Sequence, residues 1–414
     1  MKKLYIMLCV VILCFLAVSL FASTVNAQVA GSWPMFHGDV AHTGYSTGSG
    51  PSTNQTLWLL KIKGEIWSSP AVVNGIVYIA SGRTVYAINA TSGTEIWSSR
   101  MGSQSYSSPA VANNLVYIGS DDHNVYALNA ATGALVWNFT TGNVVQSNPT
   151  VSGGIVYVGS SDDNLYALNA TSGIKLWNFT TGGSVISSAA LSDGAVYFGS
   201  YDHKVYALDA LTGTEEWNFT TGSVVESSPV VADGNVYFGS FDNNTYALNA
   251  ETGTLVWKVP TGYEQCVQAS PAFANGLIYT GSSFNNNVYA LDATTGTTRW
   301  NYTTGAGIFT APAIVGNVVY FGSLDNKTYA LDAQTGAFLW SYQTGGNIYS
   351  SPAVVDGVAY FGSYDGNVYA VGQTTSSPST TSKSSIPTIT YYAILIVFLV
   401  IIIAVAIVFL KKRH

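Results

Sequence analysis

The segment Ala127-Leu-Asn-Ala-Ala-Thr-Gly-Ala-Leu-Val-Trp137 recurs along this 414-residue chain as Ala-x-Asn/Asp-x-x-Thr/Ser-Gly-x-x-x-Trp. Its copies end at Trp97, Trp137, Trp177, Trp217, Trp257, Trp300 and Trp340. A period of about 40 residues with strand-like content is the mark of propeller blades, each a small sheet that cannot cover its own faces. Val125-Tyr126-Ala127-Leu128 is a β-rich run, Thr132-Gly133 turns the chain, and the returning strand carries Trp137. The indole therefore has to pack on a neighbouring blade, and the small Ala and Gly leave room for it.

Other signals count the blades. Two-residue hairpin turns occur at Asn74-Gly75, Asn113-Asn114, Gly153-Gly154, Asp193-Gly194, Asp233-Gly234, Asn275-Gly276, Gly316-Asn317 and Asp356-Gly357. Gly and Asn tolerate the positive φ that such turns need. Eight turns and eight Tyr-Ala steps, from Tyr86 to Tyr369, predict an all-β, eight-bladed propeller of four-stranded blades. One blade reads as strands over Val185–Leu191, Ala195–Ser200, Lys204–Leu208 and Glu216–Phe219. The last repeat stops after Val371 without its Trp strand, whereas Leu57-Trp58-Leu59-Leu60 is a spare one before the first repeat. The N-terminal strand is thus expected to complete the C-terminal blade and remove the open edge.

The ends of the chain differ from the repeats. Residues 1–27 read as a secretory signal peptide, with an uncleaved anchor as the alternative for so long an apolar run. Residues 373–390 form a Ser/Thr/Pro-rich stalk, 391–410 are an apolar transmembrane helix, and 411–414 are a basic tail. The positive-inside rule then puts the tail in the cytoplasm and the propeller, residues 58–372, outside the cell membrane. Cys9 and Cys14 fall in the leader, so Cys266 alone remains and no intrachain disulfide can form. Five of the 15 Lys and Arg flank the two apolar segments and none of the 22 acidic residues does, which leaves the exported part strongly acidic. That balance argues against nucleic acid and anionic lipid as partners.

Because the repeats are copies, they can be compared with each other. One slot, three residues before the usual Pro, holds Trp67, Tyr106, Gln146, Ile186, Glu226, Gln268, Phe309 and Tyr349, while the slot before it is nearly constant Ile or Val. The variable slot lies where the innermost strand begins, near the channel mouth. Aromatic rings beside Gln and Glu suit a glycan or peptide, and a filled, plugged channel is the alternative. Length variation falls on the same face: extra residues around Tyr263, Glu264 and Cys266, one in Ser282–Asn285, and a shortened Ser81–Thr84. A second ring, Asp122, Asp162, Asp202, Asp242, Asp325 and Asp365 with Asn285, is read as turn caps in preference to cation ligands. His37, Asp39 and His42 could be taken for metal ligands, but no further ligand stands near them.

Sequons at Asn138, Asn178, Asn218 and Asn301 directly follow the docking Trp, so strand alternation turns them outward on the outermost strand. They are the glycosylation candidates. Asn89 and Asn169 occupy the Asn/Asp slot of the motif and are expected to stay bare.

The repeated motif resembles the tryptophan-docking motif of the PQQ-like, or quinoprotein-type, propellers. The resemblance covers about Trp33 to Val371. It implies that Trp58 and the seven motif tryptophans are blade-docking residues, and that the leader over residues 28–57 is a packed strap and loop. Quinoprotein dehydrogenases of this superfamily bind PQQ and Ca²⁺ in the channel, with a vicinal disulfide and a catalytic Asp. This chain has no Cys-Cys pair, and Glu226 is the one carboxylate of the mouth ring. Its plain blades are more similar to the BamB-like branch, which has no cofactor and binds through loops on one face. The sequence therefore predicts a non-catalytic cell-surface scaffold without cofactor or metal, binding a protein or glycan of the envelope through its variable face. The ligand-binding candidates are Trp67, Tyr106, Gln146, Glu226, Gln268, Phe309, Tyr349, Tyr263 and Glu264. A PQQ-dependent dehydrogenase and a structural envelope protein without a discrete ligand are the alternatives.

Overall fold

The structure, a computed structural model, describes residues 31–262 and 267–373. The signal peptide, stalk, transmembrane segment and tail read from the sequence lie outside them, as do Tyr263 and Glu264. Among the described residues no helix is long and apolar enough to cross a membrane.

Eight sheets of four antiparallel strands make up this unit, one of them extended by a fifth, parallel strand from the leader. Blade 1 consists of Ala71–Val73, Ile76–Ser81, Thr84–Asn89 and Glu95–Arg100, from the channel outward. Blades 2 to 8 begin with the inner strands Ala110–Ala112, Thr150–Ser152, Ala190–Ser192, Val230–Ala232, Ala272–Ala274, Ala313–Val315 and Ala353–Val355. The outermost strand of blade 8 is Thr56–Lys61, which pairs with Asn367–Gly372 and sets Trp58 opposite Ala370 and Leu59 opposite Tyr369. The ring closes as the spare Trp strand requires.

Each docking indole does two things at once. Trp137 Nε1 donates to the carbonyl of Ala170 in the next blade at 3.0 Å, and the Tyr117 hydroxyl donates to the same oxygen at 3.1 Å. The Trp137 ring lies on Gly173 so closely that a Cβ there would stand 2.7 Å from two indole carbons. Gly173 also has φ near +72°, which glycine adopts without cost. The arrangement repeats around the ring, with Trp58 Nε1 donating to Ala90 O at 2.8 Å across the closure. Blade 7 has no following motif to dock on, because the eighth repeat leaves the pattern after Val371. There Pro51 O, from the leader, takes the bonds of Trp340 Nε1 at 3.3 Å and the Tyr320 hydroxyl at 3.2 Å. Most of these indoles are buried; Trp177 and Trp300 are half-buried.

The inner strands are shorter than the sequence suggests: Val185–Leu191 is strand only from Ala190. The residues before it bond sideways to the next blade. Ser188 N donates to Ser228 Oγ at 2.9 Å, and Ser187 Oγ donates to Ser227 O at 3.1 Å. The first of these bonds recurs from blade to blade as a belt. Ser69 N reaches Ser108 Oγ, Ser108 N reaches Asn148 Oδ1, Asn148 N reaches Ser188 Oγ, and Ser228 N reaches Ser270 Oγ. Ala311 N reaches Ser351 Oγ, and Ser351 N returns to Ser69 Oγ. Asn148 supplies an amide oxygen in place of a hydroxyl, and Ala311 is the one position without a side-chain acceptor.

Below the belt the leader crosses the channel. Trp33 exchanges backbone bonds with Val72, and the carbonyls of Pro34, Val40, Ala41, Thr43 and Gly44 accept from Val111, Leu191, Val231, Phe273 and Ile314. His42 reaches Thr150 in blade 3, and Ser49 O accepts from Gly357 in blade 8. All eight blades are thus bonded to one strap.

Candidate functional site

The strap closes one end of the channel and the other end is open. Between them lies a cavity of about 600 Å³, lined at the mouth by Trp67, Tyr106, Gln146, Ile186, Glu226, Gln268, Phe309 and Tyr349. The belt residues Ser69, Ser108, Asn148, Ser188, Ser228, Ser270 and Ser351 form the wall beneath, and Phe36 of the strap forms the floor. The volume is that of an ordinary ligand pocket. Every described member of the sequence-derived ring reaches this one space, so the slot that varies between repeats is the slot that opens into the cavity.

Two half-rims face each other. Trp67 is 37% exposed, and its ring centroid lies 4.4 Å from that of Tyr349 and 5.2 Å from that of Tyr106. Phe309 lies 5.5 Å from Tyr349, and Tyr364 lies 4.7 Å from Tyr349 and 4.9 Å from Trp67. Beside Tyr106, whose hydroxyl accepts from Gln104 at 2.9 Å, Gln146 and Gln104 donate to the two oxygens of Asp121 at 3.1 and 3.2 Å; across the mouth stand Glu226 and Gln268. The Tyr201 hydroxyl donates to Glu226 Oε2 at 2.7 Å and the Gln268 amide donates to Oε1. Asp121, Tyr201 and Tyr364 were missed in the sequence. They occupy one slot, the residue after the Ser that ends the second strand, which also holds Ser161, Phe241 and Leu324. The same comparison between copies would have found it.

The aspartate ring binds the fold to itself. Asp122 Oδ2 accepts from the Tyr126 hydroxyl at 2.6 Å, and its Oδ1 from Asn124 N at 3.1 Å. Asp162 does the same and also accepts from Gly142 N, in the link leaving the preceding blade, at 2.6 Å. Burial alone would raise the carboxyl pKa of both, but the hydrogen bonds outweigh it and hold both below the usual range. These are turn caps that also bind blade to blade.

The strap histidines are structural as well. His42 Nδ1–H donates to Pro229 O at 3.2 Å, which leaves Nε2 to accept from the Thr150 hydroxyl at 3.1 Å. His37 Nδ1–H donates to His42 O at 2.9 Å. Burial lowers His37 to about 3, helped by His42, and His42 to about 4. Asp39 is pushed up by burial, against hydrogen bonds from Thr43. Among the described residues no group of three His, Cys, Asp or Glu could hold a metal ion.

The glycosylation candidates Asn138, Asn178, Asn218 and Asn301 are exposed on outermost strands. Asn89 and Asn169 each accept two backbone N–H bonds of their own turn through Oδ1.

A family profile described as outer membrane protein assembly factor BamB matches residues 44–104 and 81–244. One described as the β-propeller of β-alanine-activating enzyme matches residues 190–394. These matches and the eight blades fit a PQQ-like repeat propeller. No curated protein matches it at a significant level. Among solved structures, this PQQ-like propeller is similar to BamB from Moraxella catarrhalis, with 21% identity, a TM-score of 0.66, and 77% of this chain and 97% of that one covered. It is also similar to quinohemoprotein alcohol dehydrogenase from Comamonas testosteroni, with 17% identity, a TM-score of 0.73, and 85% and 82% covered. The computationally designed Ika8 protein gives 20% identity, a TM-score of 0.70, and 77% and 100% covered. At these identities the likeness is one of fold.

The dehydrogenase likeness raises PQQ, a tricarboxylate quinone held with a divalent cation. The donor set here does not fit it. Among the described residues Glu226 is the one carboxylate of the lining, and no Lys, Arg or His lines the cavity to receive the quinone's carboxylates.

Proposed function

We propose that this propeller is a non-catalytic scaffold displayed at the cell surface, and that it holds a protein or glycan of the envelope at its open channel mouth. The observation that carries the reading is the coincidence of variation and opening. Around a ring of near-identical repeats, the side chains that differ are those that face the cavity, while the far end is sealed by the strap. A similarity to BamB, by name an assembly factor, supports a role in holding over one in chemistry. The lining's lack of cations counts against a quinone enzyme. What supports surface display is the sequence, with its apolar segment in residues 1–27, its Ser/Thr/Pro-rich stretch and its apolar C-terminal segment.

The test is capture from native membranes with full-length protein, compared with Trp67→Ala and Glu226→Gln. An envelope component retained by the wild type and released by either variant supports the proposal. Equal retention by all three would place binding elsewhere. Dye reduction on addition of PQQ and Ca²⁺ would overturn the non-catalytic reading, and cell-impermeant labelling of intact cells that leaves the propeller unlabelled would overturn its display.

A further inference from the structure

We infer that the molecule taken at the channel mouth is a neutral oligosaccharide; this rests on the mouth being the binding site and names what it binds. The mouth is divided chemically. Phe309, Tyr349, Tyr364, Trp67 and Tyr106, from blades 7, 8, 1 and 2, make a continuous run of rings. Glu226 with Gln268, from blades 5 and 6, stand across from it, and Asp121 with Gln146 adjoin it at blades 2 and 3, with Ile186 of blade 4 between the two polar pairs. A pyranose carries the same division, with C–H groups on its faces and hydroxyls around its edge. Aromatic faces are electron-rich and take the polarised C–H side, while carboxylates and amides pair with hydroxyls. Below the rim, the belt adds Asn148 and a circle of serines that line the wall.

Other ligand classes fit less well. Among the described residues no Lys, Arg or His lines the cavity and Glu226 does, so an anionic sugar or a phosphate would meet a carboxylate with no counter-charge. A quaternary ammonium needs rings standing apart to surround it. Here the centroids are 4.4–5.5 Å from one another, so the rings use their inner faces on each other and present a platform. An extended peptide adds to a sheet through a row of open backbone groups. In six blades the inner-strand N–H that faces the channel already donates to the strap.

The test is isothermal titration of the full-length protein in a polyoxyethylene detergent, since glycosidic and choline-headed detergents would themselves compete. The neutral probes are hexaoses of β-1,4-linked glucose, β-1,4-linked N-acetylglucosamine, α-1,4-linked glucose and β-1,4-linked mannose. Hexagalacturonate and tetramethylammonium are the charged ones. The expected result is saturable binding of at least one neutral hexaose, weakened about tenfold or more by Trp67→Ala and by Glu226→Gln. Both variants should keep the wild-type melting temperature, because both residues stand at the rim. Stronger binding of hexagalacturonate or tetramethylammonium than of every neutral hexaose would overturn the inference. So would no binding of any neutral hexaose. If the two variants still release a captured envelope protein, the mouth is a binding site and only the saccharide inference falls. If they release nothing from membranes either, the proposed function falls with it.

Discussion

Replacing Trp137 and Gly173, singly and together, tests whether indole and glycine form the joint between blades 2 and 3. Trp137 is 8% exposed, so Trp137→Ala removes a buried indole and should cost about 3–5 kcal/mol. The Ala170 carbonyl keeps its bond from the Tyr117 hydroxyl, so no buried acceptor is orphaned and the loss should fall near 3. Gly173→Ala places a Cβ 2.7 Å from the indole and forces an L-residue to φ near +72°. Overpacking of about 1–3 kcal/mol and a left-handed penalty of about 1–2 kcal/mol are expected. Without the indole the clash disappears and only the backbone penalty remains. The double variant should therefore be more stable than additivity allows, by about 1–3 kcal/mol. Urea unfolding followed by far-ultraviolet circular dichroism reads this coupling. A coupling below about 0.5 kcal/mol would refute the seating of the indole on Gly173.

Acid should loosen the strap. With His37 lowered to about 3 and His42 to about 4, the unfolded chain takes up protons first. The contribution is complete above about pH 6.5 and is lost at roughly 1.4 kcal/mol per pH unit per histidine as pH falls toward 4. Asp39, raised by burial, slopes the other way; a urea midpoint unchanged from pH 7 to pH 5 would refute the neutral buried rings. Ala311→Ser should complete the belt and stabilise by about 0.5–1.5 kcal/mol, and a lower melting temperature would show that the position has no place for the hydroxyl. Asp162→Ala should cost about 1–3 kcal/mol through the lost charge-assisted bonds from the Gly142 N–H and the Tyr166 hydroxyl, and a neutral result would show that the carboxylate does not bind blade to blade.

The eightfold ring and its closure were legible because they depend on periodic signals. Trp58 had no partner in its own repeat and Tyr369 had no Trp strand, so pairing them was the one arrangement without an open edge. The substitute acceptor at Pro51 was not legible, since a backbone carbonyl leaves no mark in sequence. The inner strands are shorter than the sequence suggests for a similar reason. Val185-Ile186 is β-rich and reads as the start of a strand, but Ser187 and Ser188 send their bonds sideways to another blade. At the mouth, the variable slot at Trp67 and its equivalents was found by comparing copies. Asp121, Tyr201 and Tyr364 stand directly before the constant aspartates, in a hairpin connection whose pattern signals turn chemistry and not a lining position.

What holds the ring together and what faces the cavity are different residues, and that separation explains how near-identical repeats can carry a specific site. The docking bonds run from indole and tyrosine to a backbone carbonyl, and the belt runs from backbone N–H to a hydroxyl or amide oxygen on the next blade. Neither involves the slot occupied by Trp67, Gln146 or Glu226. That slot lies two residues ahead of the belt, so the belt fixes where its Cα stands while its side chain packs and bonds with others at the mouth, as Trp67 does with Tyr349 and Glu226 with Gln268. Substitution there changes the chemistry of the mouth with little effect on the scaffold. The strap supplies the remaining condition: by taking the inner-strand N–H groups at the far end, it removes the competing backbone edge and leaves side chains to decide what binds.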